Sequence, residues 1–232
     1  MYEVELTVPP EGWSTAELFR ELQTVSGDAV ADSRLTGDEL KIIGLMWVII
    51  RYDIRMERSF RPGEKLRIVT WAGAFRHCMS QRNYLIYDED GICILRGAGN
   101  WAIADRVRRC MVDASAYGLS FPAEVNGNEL PRPSAPEKLP LIHAAGYTVE
   151  KTDLDMNQHM NNTRYFDIAE SLISGQNSLF CLKSVQVAFQ NEAVLGESLR
   201  VQWGNRNNRW YVCGEGNGKI YFQMNLEYRP TT

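Results

Sequence analysis

The sequence predicts an α+β protein in which a helix packed on a curved antiparallel sheet is made twice. Three observations predict this. Each half runs from an amphipathic helix into a series of strand-like segments. Gly63-Glu64-Lys65-Leu66-Arg67-Ile68 is echoed by Gly196-Glu197-Ser198-Leu199-Arg200-Val201 at one constant offset, with Trp71 and Trp203 following one position out of register. The equivalent place of the two strings in matching element orders makes duplication the better reading. Finally, Pro122, Gly127, Pro131, Pro133, Pro136 and Pro140 crowd into residues 115–140, as in a linker. The expected division is 1–114, a Pro-rich connection over 115–140, and 141–232.

Composition agrees with this plan. The chain has 232 residues, 44% of them hydrophobic, enough for two cores. The net charge of −4 argues against general nucleic-acid binding, which needs a basic field. The longest apolar run, Ile42 to Ile50, is about half of the roughly 20 residues that a membrane span needs, and Gly44 interrupts it. Met1-Tyr2-Glu3-Val4-Glu5 has no basic leader, so no targeting segment is expected. The five scattered cysteines, odd in number and without a CxxC pair, read as reduced thiols in the cytosol. His77, His143 and His159 have no second ligand at metal spacing, so neither a metal nor any other cofactor is expected.

The elements follow in order. Ser14-Thr15-Ala16-Glu17 fits a capping box, and Leu18, Leu22 and Val25 form an apolar stripe, so a helix starts at 14. Ile42 to Ile50 reads as a fully buried strand. Tyr52, Ile54 and Met56 then alternate with charged residues, as in a strand wet on one face. Arg61-Pro62-Gly63-Glu64 is a turn. Lys65 to His77, Gln81 to Tyr87 and Ile92 to Ala104 read as strands, with a hairpin turn at Asp88-Glu89-Asp90-Gly91. In the second half a short strand is expected over Tyr147 to Lys151. A helix capped by Asn161 or Asn162 then runs to about Ser174. The expected strands after it are Leu182 to Gln190, Ser198 to Gly204, Arg209 to Gly214 and Ile220 to Tyr228.

The most unusual stretch is Asp153 to Tyr165. It places Asp155, Asn157, His159 and Asn161 at alternate positions before a helix. In an extended chain the first three share a face. That makes an acid–base cluster beside a helix N-terminus, where backbone N–H groups can hold an oxyanion. The same spacing also describes a polar, well-capped loop. Asp153 reads as loop charge, His77 and His143 as structural or surface residues, and the tryptophans as packing.

Asp155-Met156-Asn157-Gln158-His159-Met160-Asn161-Asn162, with Tyr165 beyond it, closely resembles the active-site motif of acyl-acyl carrier protein thioesterases. Trp47 with Arg51, Thr70-Trp71 after the Pro62-Gly63 turn, Asp90-Gly91, and Trp101 to Asp105 followed by Arg108-Arg109 resemble that family's first half. The resemblance implies a double hotdog fold, each half a long helix wrapped by an antiparallel sheet. It implies hydrolysis of fatty acyl-acyl carrier protein, and carries the catalytic roles onto Asp155, Asn157, His159 and Glu192. Plant members have a cysteine after that Glu; this chain has Ala193, so a Cys–His mechanism is unavailable there. Asn161 and Asn162 are expected to contact substrate. Leu45, Met46 and Trp47 are expected to line the acyl tunnel, leaving the first half without a catalytic cluster. Acyl carrier proteins are acidic, so Arg106, Arg108 and Arg109 are the expected docking cluster. The partners expected are this carrier protein and, as an assembly, a homodimer, with no membrane insertion. A hotdog thioesterase acting on acyl-CoA and a non-catalytic acyl-binding module are the competing readings. A hotdog hydratase fits less well, because its Asp-x-Asn-x-x-His spacing differs by one residue.

Overall fold

The computed structural model describes residues 1–31, 33–120, 130–155, 157–173 and 180–230. Its elements are β1 (Tyr2–Thr7), α1 (Thr15–Asp28), α2 (Gly37–Ile42), β2 (Leu45–Met56), β3 (Lys65–Ala72), β4 (Met79–Tyr87) and β5 (Cys93–Asp105) in the first half. The second half holds β6 (His143–Thr148), α3 (Arg164–Ile173), β7 (Phe180–Phe189), β8 (Ser198–Arg206), β9 (Arg209–Gly216) and β10 (Lys219–Pro230). Residues 121–129 of the expected connection, Met156, and Ser174 at the expected helix end lie outside the described residues.

The strands form one antiparallel sheet in the order β1-β3-β4-β5-β2-β7-β10-β9-β8-β6. The order reads alike from either edge, since each half contributes five strands and the halves join where β2 pairs with β7. The duplicated strings occupy duplicated places. Gly63 and Gly196 both take a left-handed turn, with φ of 78° and 81°. The Glu64 carboxylate accepts the Arg61 N–H at 2.6 Å, and Glu197 accepts that of Val194 at 2.9 Å. The Glu64 carbonyl receives the Val8 N–H, and the Glu197 carbonyl that of Val149, both at 2.9 Å.

Both long helices lie side by side on one face of the sheet. The Ser14/Glu17 capping box opens α1 as expected, and its apolar stripe (Leu18, Leu22 and Val25) is buried. Phe19 of α1 stacks on Phe166 of α3 with ring centroids 4.2 Å apart, and the Thr15 hydroxyl bonds Glu170 across the same interface. Burial is what pushes the Glu170 carboxyl up. The core between helices and sheet is continuous across both halves.

Several expectations are corrected. The apolar run does not begin a strand: Ile42 ends the short helix α2, 78% exposed, and Gly44 turns the chain at φ 77° into β2. A bulge between Ile49 and Arg51 then shifts the phase of β2, so that Tyr52, Ile54 and Met56 continue its buried face. β3 stops at Ala72 rather than His77, and β6 occupies His143–Thr148 rather than Tyr147 to Lys151. The edge strand β1 was not expected. Its partner is β3, from Tyr2 opposite Thr70 to Thr7 opposite Lys65.

The Pro-rich connection, where described, is a strap laid across the outer face of the sheet. It buries Pro133, Pro136 and Leu139, every third residue, the repeat of a polyproline II helix. The Leu130 N–H donates to Asn83 of β4 at 3.1 Å. The Ser134 hydroxyl donates to Asp53 of β2 at 2.6 Å, and the Glu137 N–H to Asn225 of β10 at 2.6 Å. A Cβ on Gly204 of β8 would sit 2.0 Å from the Pro140 carbonyl oxygen, so only glycine lets the strap pass there.

Candidate active site

The motif loop is built on a buried carboxylate. Asp153, 1% exposed, is not loop charge. It accepts the Tyr147 hydroxyl at 2.7 Å, the Glu150 N–H at 2.9 Å and Arg164 Nε at 3.0 Å. Burial alone would push this carboxyl up, but these donors outweigh it and hold it below the usual range. The Asp153 carbonyl also receives the Asn161 N–H at 2.8 Å. Asp153 therefore clamps both ends of the loop to the start of α3.

The loop itself is a closed turn, not an extended run. A bridge joins Leu154 to Met160, the Asp155 N–H donates to the His159 carbonyl at 2.8 Å, and Gln158 takes a positive φ of 63°. Inside the turn, Asp155 Oδ1 accepts the backbone N–H groups of Asn157 at 2.7 Å and His159 at 3.2 Å. The alternate-face geometry expected for Asp155, Asn157 and His159 does not form, because Asp155 turns inward to hold its own loop.

His159 points toward the strand β7 exit instead. Its Nε2 lies 3.4 Å from Glu192 Oε2. Its Nδ1 lies 3.4 Å from Arg109 Nη1, which also donates to Glu192 Oε2 at 2.9 Å. His159 is 9% exposed, whereas the Glu192 and Arg109 side chains are partly open to solvent. Arg106 Nη1 donates to Asn157 Oδ1 at 3.0 Å. A guanidinium has only donors, so the carboxamide is oriented with its N–H2 turned away from Arg106. Thus His159 and Glu192 come together, Asn157 is held by Arg106 two residues before His159, and Asp155 is turned into its own loop.

Two of the three arginines expected to dock a carrier are held by the site. Arg106 and Arg109 lie on the tight loop after β5, closed by the Ala104–Met111 bridge and by the Asp105 carboxylate, which accepts the Val107 and Arg108 N–H groups. Their part in the site had no local signal, because their partners lie in the other half of the sequence. Arg108 is exposed on the same loop. The expected oxyanion donors are also reassigned. The N–H of Asn161 is spent on Asp153, and those of Thr163 and Arg164 go to the side-chain and main-chain oxygens of Asn161. Asn161 is thus a cap, while Asn162 lies partly buried beside it.

Of the residues expected to line a tunnel, Trp47 borders a cavity of about 100 Å³ between α1 and the sheet. Trp101, Val30, Gln23, Ser26 and Arg82 share its wall. The Trp47 indole N–H donates to the Leu35 carbonyl at 2.8 Å, and its ring stacks on Phe75. Leu45 lies instead in a small core with Leu40, Ile103 and Leu119. Met46 is buried on the opposite face of the strand from Trp47, as alternation requires, and does not border this cavity.

Family models described as the acyl-ACP thioesterase N-terminal and C-terminal domains match residues 12–115 and 139–229. A palmitoyl-acyl carrier protein thioesterase of Arabidopsis thaliana is 24% identical over 196 residues, covering 77% of this chain and 47% of the relative. The chain spans half or less of the length of this and two other plant relatives that it matches. The crystal structure of an acyl-ACP thioesterase from Bacteroides thetaiotaomicron has a similar fold, with a TM-score of 0.78 and 19% identity, covering 98% of this chain and 97% of its own. That of a 12:0-ACP thioesterase from Umbellularia californica has a TM-score of 0.77 and 20% identity, covering 99% and 98%. At these identities the structural likeness bears on fold alone, and the fold is the double hotdog.

Proposed function

Because the chain belongs to the acyl-ACP thioesterase family, we propose that it hydrolyses fatty acyl-acyl carrier protein to free fatty acid and holo-carrier protein, ending elongation. The observation that carries this reading is the meeting of His159 and Glu192 at 3.4 Å with the amide of Asn157 fixed nearby by Arg106. In this reading Glu192 takes a proton from water as the water oxygen attacks the thioester carbonyl carbon. The Asn157 N–H2 donates to the carbonyl oxygen as negative charge gathers on it. The C–S bond then breaks, and the proton on Glu192 passes to the departing sulfur. Glu192 is preferred over Asp155 as the base because Asp155 Oδ1 is committed to two backbone N–H groups.

The cavity beside Trp47 would take the far end of the acyl chain. Arg108 remains the candidate for steering the acidic carrier. The proposed compartment is a reducing cytosol, in which the five scattered cysteines would be thiols.

The test is hydrolysis of a panel of acyl-ACPs and acyl-CoAs of several chain lengths by the purified protein and by Glu192→Gln. Acyl-ACP turnover is expected, lowered about 100-fold or more by the substitution. Preference for acyl-CoA would move the activity to the other carrier, and binding without turnover would make the chain an acyl-binding module. Either result overturns the proposal.

A further inference from the structure

The cavity beside Trp47 has a polar side that a hydrocarbon chain does not need. Trp47 and Trp101 border it together with Gln23, Ser26, Ser80 and Arg82. Ser80, Arg82, Tyr84 and Ile86 alternate along β4, so they share its inner face, and the last two belong to the core. Arg82 is the charged member of that row, 6% exposed and opposite Ala72 of β3. Where a ligand offers only methylenes, an apolar side chain packs as well as a buried cation and avoids its desolvation. Ser26 and Ser80 are buried too. Gln23 Nε2 is buried with no hydrogen-bond partner among the described residues, and an orphan donor in a native wall calls for an explanation.

We propose that this wall is a subsite for a hydroxyl group at the far end of the substrate's acyl chain. The inventory of donors and acceptors selects that group. Arg82 carries donors only, and the Gln23 carboxamide adds an N–H2. Arg82 also faces the Thr70 hydroxyl at 3.4 Å, a long contact for a group with five N–H donors. The serines offer the opposite. Ser80 Oγ donates to the Gly73 carbonyl at 2.8 Å, and Ser26 Oγ donates to the Leu22 carbonyl at 2.5 Å. The Tyr84 hydroxyl, 2.8 Å from Ser26 Oγ, is then the donor of that pair. Both serine protons are spent, and each oxygen keeps a lone pair. A hydroxyl accepts from Arg82 and donates to a serine. A carbonyl or carboxylate only accepts, which sets it against the serine oxygens, and a methyl end satisfies neither side.

The wall stands where the end of a chain would arrive. Leu45 pairs with Asp105 at the start of the loop that carries Arg106 and Arg109, and Trp47 is two residues further along β2, about 7 Å. The strands then follow in the order β7-β2-β5-β4, each about 4.8 Å from the last. Glu192 follows β7, Trp47 is on β2, Trp101 on β5, and Ser80 and Arg82 on β4. A chain entering from the side of Glu192 thus meets the two indoles with its methylenes before its end reaches Ser80 and Arg82. That the ligand is an acyl chain rests on the hydrolase reading.

The test has a binding arm and a kinetic arm. In the first, free fatty acids of several chain lengths, each with either a methyl or a terminal hydroxyl end, are titrated into the intact protein. Tryptophan fluorescence is the readout, since Trp47 and Trp101 border the cavity, and no turnover is needed. At the length that reaches the wall, the hydroxyl form should bind about 10-fold tighter or more. An apolar pocket would give the reverse order, because a buried hydroxyl without partners is costly. In the second arm, kcat/KM for the matching acyl-ACPs should show the same preference. Arg82→Met should invert the preference. Ser80→Ala, a smaller change, should reduce it and serves as the test if Arg82→Met does not fold by circular dichroism. Equal binding or a methyl preference at every length, or an unaltered ratio in the folded variants, would overturn the inference. So would tighter binding of terminal carboxylate or oxo forms than of the hydroxyl. Hydroxyl-selective binding without turnover of any acyl-ACP would sink the hydrolase reading and leave the subsite standing. Turnover without hydroxyl preference would do the reverse.

Discussion

Replacing Asp153 by Asn should cost more than any single change in the residues it supports. The carboxylate serves three donors: Oδ2 takes the Tyr147 hydroxyl and the Glu150 N–H, and Oδ1 takes Arg164 Nε. A carboxamide has one acceptor oxygen and one donor nitrogen. If the oxygen keeps Tyr147 and Glu150, the N–H2 meets the Arg164 guanidinium. If it turns over, the N–H2 meets the Glu150 N–H. One charge-assisted bond is lost either way, worth about 1.5–3 kcal/mol, and a buried donor is left facing another donor. The Arg164 side chain is 37% exposed and can recover water, which keeps the penalty below that of a fully buried broken pair. The expected loss is about 2–4 kcal/mol, a large share of a typical domain's stability. Urea unfolding followed by tryptophan fluorescence measures it.

The pH dependence has a definite sign. Asp153 titrates lower in the folded chain than in the unfolded one, so its contribution is full above the unfolded value near 4. It is lost as pH falls through the folded value. The gap between wild type and Asp153→Asn should therefore be widest at neutral pH and close as pH drops below about 4. A loss under about 0.5 kcal/mol at pH 7, the range of an ordinary surface substitution, would refute the account. So would a gap that stays constant with pH.

Three further outcomes follow from the same structure. Gly204→Ala should lower Tm and detach the strap, because its Cβ would collide with the Pro140 carbonyl. Unchanged Tm and unchanged amide exchange over residues 130–142 would contradict this. Trp47→Phe, and Trp47→Ala if it folds, should shift preference toward longer acyl chains by roughly fourfold per methylene admitted, at about 0.8 kcal/mol each; an unaltered chain-length profile would remove the cavity from substrate selection. Arg108→Ser should raise KM for acyl-ACP and leave acyl-CoA untouched, with the difference fading at high salt. An equal effect on both substrates would end its docking role.

What could be read from sequence was what the chain specifies locally. The α1 cap needs only Ser14 and Glu17, and both bonds form. The repeated Gly-Glu turns could be matched because each is closed by residues within three positions, giving the same bonds in both halves. Hydrophobicity misled at Ile42 and Ile43, which sit exposed in or just after a short helix. The better signal was the Thr36 side chain capping the Glu39 N–H at 3.1 Å. The alternation in Tyr2 to Leu6 was sufficient to mark β1. At the candidate site, the motif spacing singled out Asn157 and His159, but the fold of the loop could not be read from it. Whether Asp155 faces the reacting groups or its own backbone depends on a turn that Gln158 closes at positive φ. Arg109, expected to dock a carrier, could not be assigned to the site, because its partners His159 and Glu192 are brought to it only by the pairing of β2 with both β5 and β7.

The strap changes how the molecule can come apart. The seam between the halves is short, running from Arg51 opposite Ala188 to Arg55 opposite Ser184. Two separate chains meeting along such a seam would associate to a degree set by their concentration, and dilution would part them. Here the partner is covalently attached, at a local concentration on the order of millimolar that dilution cannot lower. The strap's anchors, Asp53 on one side of the seam and Asn225 on the other, must also be stripped before the seam can open. Arg109 and Glu192, which belong to different halves, therefore stay in register at any dilution.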